Sequence, residues 1–252
     1  MSTLGAFKDH FSGHAGLYTR YRPTYPPELF KALAALAPDL ELAWDCGTGN
    51  GQAALALAEH FARVEATDAS AKQIDAAAAH HKVNYVVAPA EASGLADGSV
   101  SLITVAQALH WFDFERFYTE VRRVGKEQAV LVAWSYELCR ITPAVDRVMD
   151  RLYRDLLDGY WPPERRHVER GYQDIPFPFT QVELPTFHMR AGWTLEHFMG
   201  YVHSWSAVQA YRRALDRDPL TEVEADMAAA WGESHMTREI VWPLNILSGW
   251  VN

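Results

Sequence analysis

The chain has 252 residues, 49% of them hydrophobic and 22% charged, with a formal net charge of −9. This length suits one α/β domain with additions, and the acidic balance lacks the clustered basic face that a phosphate-backbone binder needs, so no nucleic-acid partner is expected. Cys46 and Cys139 are too few for a disulfide framework and read as reduced core thiols; with no charged-then-apolar leader and no membrane-length apolar run, a soluble, cytoplasmic protein without a membrane partner is expected.

In chain order, the opening segment is aromatic, basic and bounded by proline, reading A-G-L-Y-T-R-Y-R-P-T-Y-P-P from Ala15 to Pro27. Pro26 and Pro27 suit the first turn of a helix, and Leu29, Phe30, Leu33 and Leu36 recur on one face, which predicts a helix from about Pro27 to Ala37. His10 and His14 stand four residues apart without a metal-ligand set around them. From Glu41 the pattern alternates regularly. Strands are predicted at Glu41–Cys46, Arg63–Asp68, Val83–Val87, Val100–Val105 and Gln128–Trp134, and helices at Gln52–Phe61, Ser70–His80 and Asp113–Val124. Such alternation implies βαβ units and a doubly wound, mostly parallel sheet whose ligand sites lie beyond the carboxyl ends of the strands.

The stretch L-A-W-D-C-G-T-G-N-G-Q, from Leu42 to Gln52, joins the first strand to its helix. Glycine at alternate positions (Gly47, Gly49, Gly51) admits positive φ and a close ligand, and the helix then aims its free N–H groups at the loop. A dinucleotide fingerprint puts its third glycine three residues past the second, whereas here it lies two past. Asp45 before the loop would repel a diphosphate and suit a cation. Asp68 ends the second strand twenty-one residues after Gly47, where a carboxylate can accept ribose hydroxyls; it also opens the next helix, with Ser70 a good N-cap. The elbow G-x-S-x-G, a Walker lysine, H-E-x-x-H and paired cysteine ligands are all absent, and no metal is expected.

The D-x-G-x-G-x-G pattern resembles motif I of the class I S-adenosylmethionine (SAM) methyltransferases, and A-Q-A-L-H-W-F-D after the fourth strand resembles their small-molecule "type 11" branch, which includes relatives of trans-aconitate methyltransferase. The resemblance implies SAM as cofactor, with Thr48 and Ala69 beside the glycines and the ribose carboxylate. It implies that the Y-x-x-Y-R-P-x-Y-P segment lies over the cofactor, with Tyr18 stacking near it and Arg22 reaching the methionine carboxylate. It also places Ala90 and Glu91 near the adenine amino group and Gln107 at the methionine end. His110 is a candidate general base for any acceptor that must lose a proton, and Trp111 a candidate acceptor contact. A methyl transfer to a carboxylate needs no base, since orientation and exclusion of water can supply most of the acceleration. One departure stands in the turn before the fifth strand, where Lys126-Glu127-Gln128 replaces the usual Gly-Gly.

Past Trp134 the alternation breaks. Pro143–Leu157 reads as an amphipathic helix and Gly159–Thr180 as a proline- and aromatic-rich insertion of the kind that forms lids, with Arg165 and Arg166 as candidate ligands for an acidic acceptor. A sixth strand is predicted at Val182–Met189, helical segments at Thr194–Leu215 and Pro219–Trp231, and a last strand at Arg238–Leu247 in which Pro243 marks a bulge or edge. The resemblance makes that last strand antiparallel and inserts it beside the fifth, giving seven strands in all. The expected organisation is a single domain: flap and helix (1–37), cofactor core (38–135), acceptor cap (136–235) and last strand (236–252). The expected activity is SAM-dependent methylation of a small molecule, a carboxylate first among acceptors; the alternatives are a noncatalytic SAM- or nucleoside-binding protein of the same fold and, more distantly, an NAD-linked oxidoreductase.

Overall fold

The structure, a computed structural model, describes residues 21–251. Tyr18, His10 and His14 lie outside the described residues. Helix α1 (Pro27–Leu36) is followed by β1 (Leu42–Cys46), α2 (Gln52–Ala58), β2 (Arg63–Asp68), α3 (Ala71–Asp75), β3 (Val83–Val87), β4 (Val100–Ala106), α4 (Phe114–Val124) and β5 (Gly125–Tyr136). The sheet runs in the order β3-β2-β1-β4-β5, all parallel, the chain reversing its direction of travel between β1 and β4. Both faces are covered, so β1 is buried along its whole length. Alternate β5 side chains go to opposite cores: Val130, Val132 and Trp134 join Leu29, Phe30 and Leu57, while Leu131 and Ala133 join Trp44 and Phe117.

The turn carrying Lys126-Glu127-Gln128 becomes a bulge at the start of β5. Gly125 pairs with Val100 and Val130 with Leu102, and Gln128 takes up the extra chain at φ 63. Lys126 secures the bulge, its Nζ reaching Asp39 and Glu41 at 2.8 Å each. The missing glycine pair is thus replaced by a bulge and an ion-paired anchor.

The C-terminal part contains α5 (Pro143–Arg151) continued by a π-helical turn (Leu152–Leu156), α6 (Arg165–Glu169), β6 (Thr180–Gln181), β7 (His188–Trp193), α7 (Leu195–His203), α8 (Ser206–Leu215), α9 (Glu224–Trp231) and β8 (Arg238–Trp250). Three expectations are corrected here. The helix expected over Ser70–His80 is only Ala71–Asp75, because the alanine-rich run after it has few large apolar side chains to bury. The single sixth strand is divided into β6 and β7, so the described residues form eight strands rather than seven. The last strand is longer than expected and serves three partners, with β6 pairing at its end through Gly249 and Trp250. Its second half, from Leu244, runs antiparallel along β5, and its first half, up to Pro243, pairs with β7. Pro243 has no N–H to donate and sits where β7 gives way to β5.

Candidate cofactor and acceptor site

Asp45, at the carboxyl end of β1, is fully buried beneath the glycine loop. Thr48 donates to its Oδ2 at 2.6 Å, and Thr104, its register partner on β4, donates to its Oδ1 at 2.8 Å. Burial pushes its carboxyl up to about 6, against the lowering effect of those two hydroxyls. The backbone N–H of Thr48 is tied to the end of β2 through Thr67 O at 2.9 Å. The loop is therefore pinned from below, and Asp45 acts on it from the interior rather than lining its mouth.

The loop's three glycines have φ of 69, 57 and 87. At Gly47 a Cβ would stand 2.6 Å from Ala108 Cβ and 3.1 Å from the Phe112 ring, whereas at Gly49 its nearest neighbour would be Gln73 Oε1 at 3.9 Å. Gly47 is required by the protein's own packing, and Gly49 leaves open space. Asp68 bridges the loop and the next helix, its Oδ2 accepting from Gly49 N–H at 2.9 Å and its Oδ1 from Ser70 N–H at 2.8 Å. A carboxylate so oriented beside an open Gly49, with Ala69 following it and half-buried, fits a ribose-bearing cofactor in the cradle. Glu91 turns to the start of α4, where its Oε1 accepts Asp113 N–H at 3.0 Å, and Ala90 beside it is buried.

The chain just after β4 forms the floor of a second space. Gln107 has φ 57, and its side-chain amide is committed to the backbone of Tyr136, donating to its carbonyl at 3.0 Å and accepting its N–H at 2.9 Å. It locks the ends of β4 and β5 together. Above this floor lies a cavity of about 70 Å³, bordered by Arg22, Gln107, His110, Trp111, Tyr136 and Arg165, and on the cap side by Trp161, Tyr201 and Trp205. Glu137 also borders it and accepts from Asn245 Nδ2 at 3.1 Å.

Both arginines are fixed. Arg22 donates to Tyr136 OH at 3.0 Å and lies 5.4 Å over the Tyr201 ring. The strap that carries it is tied at two points: Gln52 donates to Pro23 O at 2.9 Å, and the Tyr21 ring covers Gly200 of α7 so closely that a Cβ there would come within 2.6 Å. Arg165 donates through Nε to Tyr153 OH at 2.8 Å and stacks 5.1 Å over Trp161; its two Nη groups have no protein partner among the described residues. Arg166 faces solvent and does not border the cavity. Of the two lid arginines, Arg165 borders the cavity and Arg166 does not, because consecutive residues on so short a helix point apart.

His110 is buried, its Nδ1 2.9 Å from Tyr172 OH. Burial first, then the charges of Arg165 and His167, pull it down to about 3. Such an imidazole stays neutral and is a poor base for a hydroxyl or amine. Trp111 packs against it at 4.7 Å and borders the cavity. Tyr136, Tyr201 and Trp161 border the cavity and Tyr172 supports its His110, and sequence reasoning assigned none of them to the candidate site. Only Tyr172 left a trace, following a glycine in R-G-Y, and both Gly171 and Tyr172 take positive φ. Among the described residues no cluster of His, Cys, Asp or Glu is placed to hold a metal ion, and no helix is long and apolar enough to cross a membrane.

The buried Asp45 carries a pH signature. A carboxyl raised from 3.8 to about 6 stabilises the fold while protonated, and that contribution, about 3 kcal/mol, is full below pH 3.8 and lost as the pH climbs past 6. Relative to Asp45→Asn, the wild type should therefore lose about 3 kcal/mol between acid and neutral pH in denaturant unfolding. A difference that stays flat would contradict the burial.

Comparison with known proteins agrees with this geometry. A methyltransferase-domain family matches residues 44–133, from β1 into β5. A candidate methyltransferase of Dictyostelium discoideum is 35% identical over 89% of this chain and 87% of its own. A solved structure of a candidate type II methyltransferase from Anaeromyxobacter dehalogenans is 47% identical, covers 92% of this chain and 98% of that one, and superposes with a TM-score of 0.87. A candidate methyltransferase from Anabaena variabilis shares the fold at 17% identity and a TM-score of 0.55, over 89% of this chain and 98% of that one. With its pinned glycine loop, its oriented Asp68 and these relatives, the chain belongs to the class I SAM-dependent methyltransferases.

Proposed function

We propose that this enzyme methylates a small-molecule carboxylate, forming a methyl ester. The observation that supports it best is Arg165: its guanidinium borders the cavity, is held by Tyr153 and Trp161, and keeps two Nη groups without a protein partner. A fixed fork of this kind matches a carboxylate bidentately. In this reading Asp68 receives the ribose hydroxyls, Gly47 to Gly51 with Thr48 give the close backbone, and Ala69, Ala90 and Glu91 border the adenine. Arg22, on its strap, takes the methionine carboxylate, Gln107 fixes the floor beneath that end, and Trp111 is a wall against the acceptor. When bound, SAM supplies a methyl group made electrophilic by a sulfonium. The protein's part is to place an acceptor oxygen in line and exclude water, which the aromatic walls favour. A cavity of about 70 Å³ suits a small acceptor head, well under the roughly 300–1,000 Å³ of drug-sized sites. The net charge of −9 agrees with an acceptor that is not nucleic acid.

Screening methyl transfer from labelled SAM into short carboxylic acids, with the matching alcohols and amines, should give label in a base-labile ester. Arg165→Ala should then raise the acceptor KM by ten- to a hundredfold, about 1.5–3 kcal/mol for hydrogen bonds to a charge, and leave SAM binding intact. Arg166→Ala should change neither. Equal losses in both variants, or label appearing only in alcohols or amines, would refute the carboxylate reading.

A further inference from the structure

His110 borders the cavity, and its Nδ1 lies 2.9 Å from Tyr172 OH. Tyr172 is fully buried, and His110 Nδ1, 2.9 Å away, is the hydrogen-bond partner of its hydroxyl among the described residues. A phenol has one proton to give. A buried hydroxyl proton needs an acceptor, and among the described residues the one within reach is His110 Nδ1. A neutral imidazole whose Nδ1 accepts must carry its own hydrogen on Nε2. Nε2 has no protein partner among the described residues. The ring nitrogen that this cavity residue has left to offer is thus a donor, without the lone pair a base needs.

We propose that Tyr172 fixes His110 as an Nε2–H donor that binds the acceptor oxygen rather than deprotonating it, so that the site selects acceptors arriving as anions. This rests on the cavity being the acceptor site. Arg165 on the cap and His110 on the floor then hold a carboxylate from two sides. One carboxylate oxygen is held by donors, while a lone pair of the other forms the new C–O bond as the C–S bond breaks with its electron pair staying on sulfur. No proton moves and no base is needed. The low basicity of the ring, set by burial and by Arg165 and His167, keeps it a neutral donor across the physiological range.

Nitrogen-15 NMR of the histidine-labelled full chain reads the tautomer directly. The expected result is Nε2 protonated and Nδ1 bare, unchanged from pH 5 to 8, with a mixture of tautomers in Tyr172→Phe. An Nδ1–H ring, or a titration within that range, overturns the proposal whatever the enzyme's reaction. Calorimetry on the S-adenosylhomocysteine complex, with the monocarboxylates and dicarboxylates from acetate to adipate as probes, tests the binding role. The carboxylates should bind about tenfold more weakly to His110→Leu and within threefold of wild type to His110→Gln, whose amide restores a donor, with S-adenosylhomocysteine affinity equal in all three as the check on folding. Equal carboxylate binding in wild type and His110→Leu overturns the proposal, as does a series in which no carboxylate binds. Failure of S-adenosylhomocysteine to bind the wild type would instead strike the cofactor reading, and the tautomer measurement would still decide the state of His110.

Discussion

Replacing Gly47 with alanine should abolish cofactor binding and cost about 2–5 kcal/mol of stability. Two effects add. An L-residue at φ 69 carries roughly 1–2 kcal/mol of backbone strain, and the new methyl would meet Ala108 Cβ at 2.6 Å, an overpacking of about 1–3 kcal/mol. Ala108 cannot retreat easily, since it lies between Gln107, locked to Tyr136, and the buried Leu109. The loop must move instead, and it carries the cofactor's binding surface. Gly49→Ala separates the effects. Its φ of 57 gives the strain, but its Cβ points into open space, so its thermal unfolding should fall by only a few degrees while SAM affinity falls at least tenfold, because the methyl occupies ground the cofactor needs. Equal SAM affinity in Gly49→Ala and wild type would contradict the position assigned to the cofactor.

The second large effect belongs to Asp68. Its carboxylate orders Gly49 and Ser70 through their backbone N–H groups and, in the proposed complex, also holds the ribose. Asp68→Ala removes both roles. Charge-assisted hydrogen bonds are worth about 1.5–3 kcal/mol each, so losing two ribose bonds should weaken SAM binding by at least a hundredfold. Asp68→Asn keeps an acceptor for one of the two backbone donors and should fall between. Titrations of adenosine against 2′-deoxyadenosine distinguish ribose binding from loop ordering. If the wild type prefers adenosine and Asp68→Ala does not, the carboxylate reads the hydroxyls; if the preference survives in the variant, Asp68 only orders the loop.

Much of the sheet was legible because its strands are short apolar runs punctuated by Gly, Asp and Ser, and the residues at their carboxyl ends are the ones a parallel sheet offers to a ligand. Asp45 was readable as an acidic residue before a glycine loop. Its actual surroundings were not, because Thr104 is a partner only through the β1–β4 register, fifty-nine residues away. The same limit applies to Gln107, read as a cofactor contact and found bonded to the Tyr136 backbone. In the cap, local sequence carried less still. Arg165 and Arg166 are chemically identical, and only the packing of Arg165 on Tyr153 and Trp161 gives one of them the cavity. The division of the sixth strand follows from β8 serving β7 with one half and β5 and β6 with the other, a tertiary arrangement that period-two patterning does not encode.

Calorimetric titration of the purified chain with SAM, with S-adenosylhomocysteine and NADH in parallel, tests the central claim most directly. Saturable binding of SAM and S-adenosylhomocysteine at roughly 1–100 μM, about −8 to −5.5 kcal/mol, with no binding of NADH, is the predicted result. Folded protein that takes up neither SAM nor S-adenosylhomocysteine would contradict the account.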